Sequence, residues 1–91
     1  MGMDLRDRLA EGTYKNECVY SLKDDYLYRV FKLNEQRINA QFQEDALAYL
    51  REAGVPEKML SKVYYKAWDD GHAYGYAKII NKLEELAELF R

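Results

Sequence analysis

The sequence predicts a small α+β domain with a short N-terminal helix, a tyrosine-rich β-hairpin and two further helices, of which the last is long. Three observations support this fold class: aromatic residues flank two aspartates in residues 14–33, apolar residues recur at helical spacing from residue 39, and no proline follows Pro56. An all-α helical bundle is the alternative. The 91 residues make one domain, 1–91, with a modest core.

The N-terminal helix is predicted from its ends. Leu5 and Leu9 lie one turn apart behind Asp4, a favoured helix cap. Gly12 is the residue type that commonly closes a helix. A short helix should therefore end at Gly12.

Residues 14–33 fit two structures. In a hairpin, two strands would flank a turn at residues 23–25, with these apolar residues: Tyr20, Leu22, Leu27, Phe31 and Leu33. In a helix, one row would have four-residue spacing: Tyr14, Cys18, Leu22, Tyr26 and Val30. The aromatic and valine content and the adjacent aspartates favour the hairpin.

A helix is predicted from about Asn39, because apolar residues recur three and four positions apart. They are Phe42, Ala46, Tyr49, Leu50 and Ala53. Gly54 should end this helix. Pro56 should begin the next one, since a proline in the first turn loses no hydrogen bond.

The last helix is predicted to cover residues 56–90. This segment has no further proline and keeps apolar residues at Ile79, Leu83, Leu86 and Phe90. If unbroken, the helix would be about 50 Å long at about 1.5 Å per residue. The two helices must turn sharply on each other at residues 54–56.

Charge and composition argue against several classes of function. A net charge of −2 without a basic cluster gives little attraction for nucleic acid. No apolar run approaches the roughly 20 residues of a membrane span, and the N-terminus lacks the apolar core of a signal peptide, so we expect a cytoplasmic protein. The single cysteine, Cys18, is expected to be a small core residue.

The segment KAWDDGHAYGY, residues 66–76, contains potential ligands. Asp69, Asp70 and His72 are metal-ligand types, and a histidine beside carboxylates can act as a general base. On a helix, however, only Asp69 would lie near His72, and the four-residue separation of paired helical ligands is missing. We therefore expect no catalytic, metal-binding or cofactor-binding residue, with a small His/Asp metalloprotein or enzyme as an alternative.

The glycines of the same segment predict close helix packing. Ala67, Gly71 and Gly75 fall at four-residue steps and would let another backbone approach one helix face. Two helical glycines cost roughly 1 kcal/mol each relative to alanine, so a compensating contact is expected. The predicted helix-packing or dimer seam comprises Tyr64, Ala67, Trp68, Gly71, Gly75, Ile79, Leu83, Leu86 and Phe90.

The chain has nine tyrosines, more than a core of this size can bury. Four side chains are predicted to bind a partner: Tyr65, His72, Tyr74 and Tyr76. Exposed tyrosines are typical of protein contact surfaces, so we expect a non-catalytic protein-binding module, and a homodimer is compatible with it. The alternative is a nucleotide-binding or sequestering protein whose tyrosines and Trp68 would stack on bases.

The segment AWDDGHAYGYAKIINKLEELAELF resembles the C-terminal half of small uncharacterised proteins of tailed bacteriophages. Their pattern is A-W-x-x-G-H-x-x-G-Y-x-E-V followed by a helix that ends in L-x-x-L, and the matching residues are Ala67, Trp68, Gly71, His72, Gly75, Tyr76, Leu83 and Leu86. Lys78 departs from the glutamate of the pattern, and Ile79 replaces the valine. The resemblance implies a phage origin and an unassigned role. For a binding module, the expected target is then a host protein that it inhibits, such as a defence or nucleic-acid-processing enzyme.

Overall fold

The structure is a computed structural model that describes residues 4–14 and 25–91, except for the side chains of residues 25–28, 30 and 31. The described residues form four α-helices: α1 (Leu5–Ala10), α2 (Asp25–Glu52), α3 (Leu60–Gly71) and α4 (Tyr76–Glu88). Two 3-10 turns, Glu57–Met59 and His72–Tyr74, precede α3 and α4. Residues 4–14 and 25–91 contain no strand, so the α+β class is wrong and the alternative, an all-α fold, is correct.

The predicted β-hairpin is wrong where the structure describes it, because residues 25–33 form the first turns of α2. No glycine or proline lies between Asp25 and Gly54, so nothing in the chain interrupts a helix of 28 residues. Aspartate is favoured at helix starts as well as in turns, and aromatic content is only a weak preference for strands. The first predicted strand and residues 23 and 24 lie outside the described residues.

The predicted end of the second helix at Gly54 is confirmed. Gly54 has a φ of +97°, in the left-handed region that glycine adopts without strain. The Val55 N–H donates to the Leu50 carbonyl and the Gly54 N–H to the Arg51 carbonyl, which is the hydrogen-bond pattern of a Schellman motif. The chain then turns through Pro56 into the 3-10 turn that precedes α3.

The sequence left open whether the helix over residues 56–90 is continuous, and the structure shows that the chain breaks at Gly75. Gly75 has φ +100° and ψ 175°, a backbone conformation that is essentially restricted to glycine. The first turn of α4 contacts Gly71 at the end of α3. At the opposite end, Phe90, which follows α4, lies close to Gly54, which precedes α3: a Cβ built on Gly54 would lie 3.7 Å from the Phe90 carbonyl oxygen. α4 therefore runs back along α3, and Gly75 belongs to the turn between them.

The core lies where α2, α3 and α4 meet. α2 contributes a buried residue at every fourth position: Ile38, Phe42, Ala46 and Leu50. The other buried apolar residues are Leu5, Tyr14, Val55, Leu60, Val63, Tyr64, Ala67, Ile79, Ile80, Leu83 and Ala87. Burial of one large apolar side chain contributes about 1.5–3 kcal/mol, so this cluster is the main source of stability.

The N-terminal segment is attached to the core through Leu5 and Tyr14, both of which are 2% exposed. The Tyr14 hydroxyl donates to Asp45 Oδ2 at 2.7 Å, and its ring meets Phe42 edge-on at a centroid distance of 5.0 Å. The Asp45 carboxylate is also 3.5 Å from Arg8 and accepts a hydrogen bond from another α2 side chain. Tyr14 thus fixes residues 4–14 against α2.

Candidate functional site

A groove runs between α2 and α3 and consists of two adjoining hollows that share Asn39 and Trp68. The Glu35 hollow, of about 260 Å³, is lined by Glu35, Asn39, Trp68, His72, Gly75, Tyr76 and Ile79. The Gln43 hollow, of about 320 Å³, is lined by Gln36, Asn39, Ala40, Gln43, Tyr64, Tyr65 and Trp68. We refer to both together as the α2–α3 groove.

The helical repeat determines which residues form the two walls of the groove. On α2, residues 35, 39 and 43 recur every four positions and share one face with residues 36 and 40. On the other side, Tyr64, Trp68 and His72 form a second four-residue row along α3 and the turn that follows it. One wall is therefore mainly amide and the other mainly aromatic.

Trp68 is the centre of the aromatic wall. Its ring lies nearly parallel to His72, at 6.0 Å and 6° between planes, and is stacked with Tyr64 at 6.1 Å and 28°. Phe42 and Tyr76 approach from the core side at 6.4 Å and 6.5 Å. Packing on both sides fixes the indole, so the wall is preorganised.

Tyr76 links the two sides of the Glu35 hollow. Its hydroxyl donates a hydrogen bond to Asn39 Oδ1. Burial raises the pKa of Tyr76, and the negative charge of Glu35 raises it further. Glu35 and Tyr76 thus line the same hollow.

His72 is exposed at the rim, and its Nδ1 lies 3.0 Å from the Trp68 carbonyl oxygen. A carbonyl oxygen only accepts, so Nδ1 carries the hydrogen, and in the neutral ring Nε2 is left as an acceptor. Asp70 is paired with Lys66 one turn back on α3, at 3.4 Å. Within residues 4–14 and 25–91, no three His, Cys, Asp or Glu side chains gather closely enough to hold a metal ion.

The seam residues of the sequence analysis lie inside one chain. Tyr64, Ala67, Gly71, Ile79 and Leu83 are buried, and Trp68, Leu86 and Phe90 pack partly buried against them. A Cβ built on Gly71 would lie 2.8 Å from the Ile79 backbone nitrogen, so the backbones of α3 and α4 are too close here for any larger residue. Gly75 is exposed, with nothing within 4 Å of a Cβ built on it.

Three of the four partner-binding candidates line the α2–α3 groove. Tyr65, which is 54% exposed, lines the Gln43 hollow, while His72 and the half-buried Tyr76 line the Glu35 hollow. Tyr74 is 78% exposed but does not line either hollow.

The polar residues of the α2 wall, Glu35, Gln36, Asn39 and Gln43, were not predicted from the sequence. Residues 35, 39 and 43 recur every four positions, and each precedes a residue of the buried row that starts at Ile38 by three positions. This periodicity was visible in the sequence, but it identifies a wall only once α3 is known to pack alongside.

Comparisons with known proteins bear on the whole chain. No curated protein and no solved structure matches it. No helix of the described part is long and apolar enough to cross a membrane. Residues 3–91 match a family described as "Family of unknown function (DUF8546)". Because this match spans nearly the entire sequence, the chain belongs to the DUF8546 family.

Proposed function

We propose that the protein is a non-catalytic protein-binding module that holds its partner in the α2–α3 groove. The observation that supports this most is the composition of the groove, in which Trp68 and Tyr65 stand opposite uncharged amide side chains. Tryptophan and tyrosine are enriched among the residues that contribute most to binding energy at protein interfaces. Tyr65 is also half-exposed, so part of its ring remains to be buried by a partner.

The chemistry of the groove favours this function over nucleotide binding. A nucleotide-binding site combines stacking rings with cations for the phosphates. Among the described residues that line the two hollows, none is a lysine or arginine, and Glu35 would repel a phosphate. The aromatic rings therefore support recognition of a protein rather than of a nucleotide.

Two of the side chains suited to chemistry, His72 and Asp70, make local contacts, which supports a non-catalytic role. His72 bonds the Trp68 carbonyl, and Asp70 pairs with Lys66. The arrangement of these groups does not resemble a base held by an orienting carboxylate, which general-base catalysis normally uses.

The resemblance to tailed-phage proteins supports a host protein as the partner. A small module that binds a segment of a host enzyme in its groove would inhibit the enzyme by blocking that segment. Self-association through the predicted seam is disfavoured, because the seam residues that are buried within one chain would have to leave the core.

The test is capture of a partner from a bacterial lysate with tagged protein, followed by calorimetry with the purified partner. Tyr65→Ala should weaken binding about tenfold or more, which corresponds to roughly 1.4 kcal/mol. Tyr74→Ala is the matched control, since Tyr74 is exposed but lies outside the groove lining. An unchanged affinity for Tyr65→Ala would refute the groove as the binding surface.

A further inference from the structure

The Glu35 hollow has the chemistry of a site for one organic cation. Of the described residues that line it, Glu35 alone carries a carboxylate, and none is a lysine or arginine. The rings of Trp68 and Tyr76 also line it, and an aromatic ring attracts a cation within about 6 Å of its centre. The hollow therefore offers a cation both a carboxylate and aromatic rings.

The hollow has room for one large side chain. Its volume of about 260 Å³ is below the roughly 300–1,000 Å³ of sites that enclose a whole small molecule. The hollow continues at Asn39 and Trp68 into the Gln43 hollow, which is uncharged. A partner segment that lies along the groove would place one basic side chain at the Glu35 end.

We infer that the Glu35 hollow binds an arginine side chain of the partner protein, an inference that rests on the proposed function. A guanidinium is planar, stacks on aromatic rings and offers two parallel N–H donors to one carboxylate. Trp68 and Tyr76 supply the rings, and Glu35 supplies the carboxylate. An ammonium group, by contrast, is more strongly hydrated and stacks less well, so lysine is the poorer ligand.

Lys32 does not block this site. Its Nζ lies 3.3 Å from Glu35 Oε2 on the same face of α2, and both side chains are more than 40% exposed. Exposed ion pairs of this kind are weak, so an arginine can share or replace the contact. Asn39 Oδ1 already accepts from Tyr76, which makes Glu35 the main acceptor for an incoming guanidinium.

The only tryptophan of the chain provides a direct readout, because the indole N–H of Trp68 gives a unique signal in a two-dimensional NMR spectrum. The probe is acetyl-arginine amide, titrated into the millimolar range. Acetyl-citrulline amide, which has the same shape without the charge, is the matched control ligand. We expect a saturable shift with the arginine probe and a several-fold weaker response to the citrulline probe.

Glu35→Gln should lower the apparent affinity for the arginine probe about five- to tenfold, since it removes a charged acceptor that is partly screened by water. Glu44→Gln is the control variant, because Glu44 is an exposed carboxylate about two and a half turns further along α2 and does not line the hollow. Thermal melts of both variants establish that they are folded, and the comparison of the two probes on the unmodified protein needs no variant.

Equal binding of the two probes, or equal losses in Glu35→Gln and Glu44→Gln, would overturn the inference. If binding of a protein partner still depends on Tyr65, the proposed function stands. In the converse case, selective arginine binding without any groove-dependent partner supports the hollow and counts against the proposed function. The two ideas therefore fail separately.

Discussion

Replacement of Gly71 by alanine tests the close approach of α3 and α4. A Cβ at this position would lie 2.8 Å from the Ile79 nitrogen, 2.9 Å from its Cα and 3.0 Å from its Cγ1. Two of these three atoms belong to the backbone of α4, so a change of side-chain rotamer cannot relieve the overlap. The two helices must move apart.

The expected loss of stability is about 1–2 kcal/mol. Overpacking of this kind costs about 1–3 kcal/mol, while the higher helix propensity of alanine returns less than about 1 kcal/mol at the end of a helix. Gly71 has a φ of −119°, which alanine can adopt, so no backbone strain is added. In a domain of this size the melting temperature should fall by about 5–15 °C.

Urea and thermal denaturation followed by circular dichroism measure this change. Lys62→Ala, at an exposed position of α3, should alter stability by less than about 0.5 kcal/mol and is the control. The loss caused by Gly71→Ala should be the same in an Ile79→Ala background, which removes Cγ1, since the backbone nitrogen and Cα of Ile79 remain. The reasoning is refuted if Gly71→Ala is as stable as the unmodified protein, or if trimming Ile79 rescues it.

Two further predictions concern buried tyrosines. Burial raises the pKa of Tyr64 from 10.0 to about 12, so between these pH values the unfolded chain loses a proton that the folded chain keeps. The stabilisation that protonated Tyr64 provides is complete below pH 10. Above that pH the free energy of unfolding should fall by roughly 1.4 kcal/mol per pH unit, which lowers the urea midpoint. Tyr64→Phe should reduce this decline, and an equal decline in that variant would contradict the prediction. Tyr14→Phe keeps the ring but loses the hydrogen bond to Asp45, and should lower the free energy of unfolding by about 1–2 kcal/mol in urea titrations. No measurable loss would mean that the hydroxyl is not bonded as described.

The helical character of residues 39–53 could be predicted because its apolar period is strong and unambiguous. The preceding residues could not be assigned in the same way, since aromatic residues and paired aspartates suit both a hairpin and a helix start. What decides the matter is the absence of a glycine or proline before Gly54, which lets the helix extend back to Asp25. The weak local preference for strands was overridden by helix continuity.

Gly71 and Gly75 show a second limit of sequence patterns. Both fit a four-residue repeat, yet Gly71 ends α3 in close contact with Ile79, and Gly75 adopts a φ of +100° in the following turn. The repeat does not indicate which glycine is required for space and which for its backbone. Only the return of α4 onto α3 separates the two roles.

The candidate site was predictable in part. Tyr65, His72 and Tyr76 were identified from their exposure on a predicted helix, and all three line the α2–α3 groove. Glu35 and Asn39 were not, because a groove between two helices is defined by their packing and not by either helix alone. Tyr74 met the same sequence criterion but does not line either hollow.

The position of α1 has a consequence for the order in which the chain folds. Arg6 hydrogen-bonds to Asn81 and pairs with Glu84 on α4, although these residues are 75 or more positions apart. α2, α3 and α4, by contrast, follow one another through short connections, and local contacts form with a smaller loss of chain entropy. We therefore expect contacts among α2, α3 and α4 to form before α1 docks, and α1 to exchange its amide hydrogens fastest in native-state hydrogen exchange.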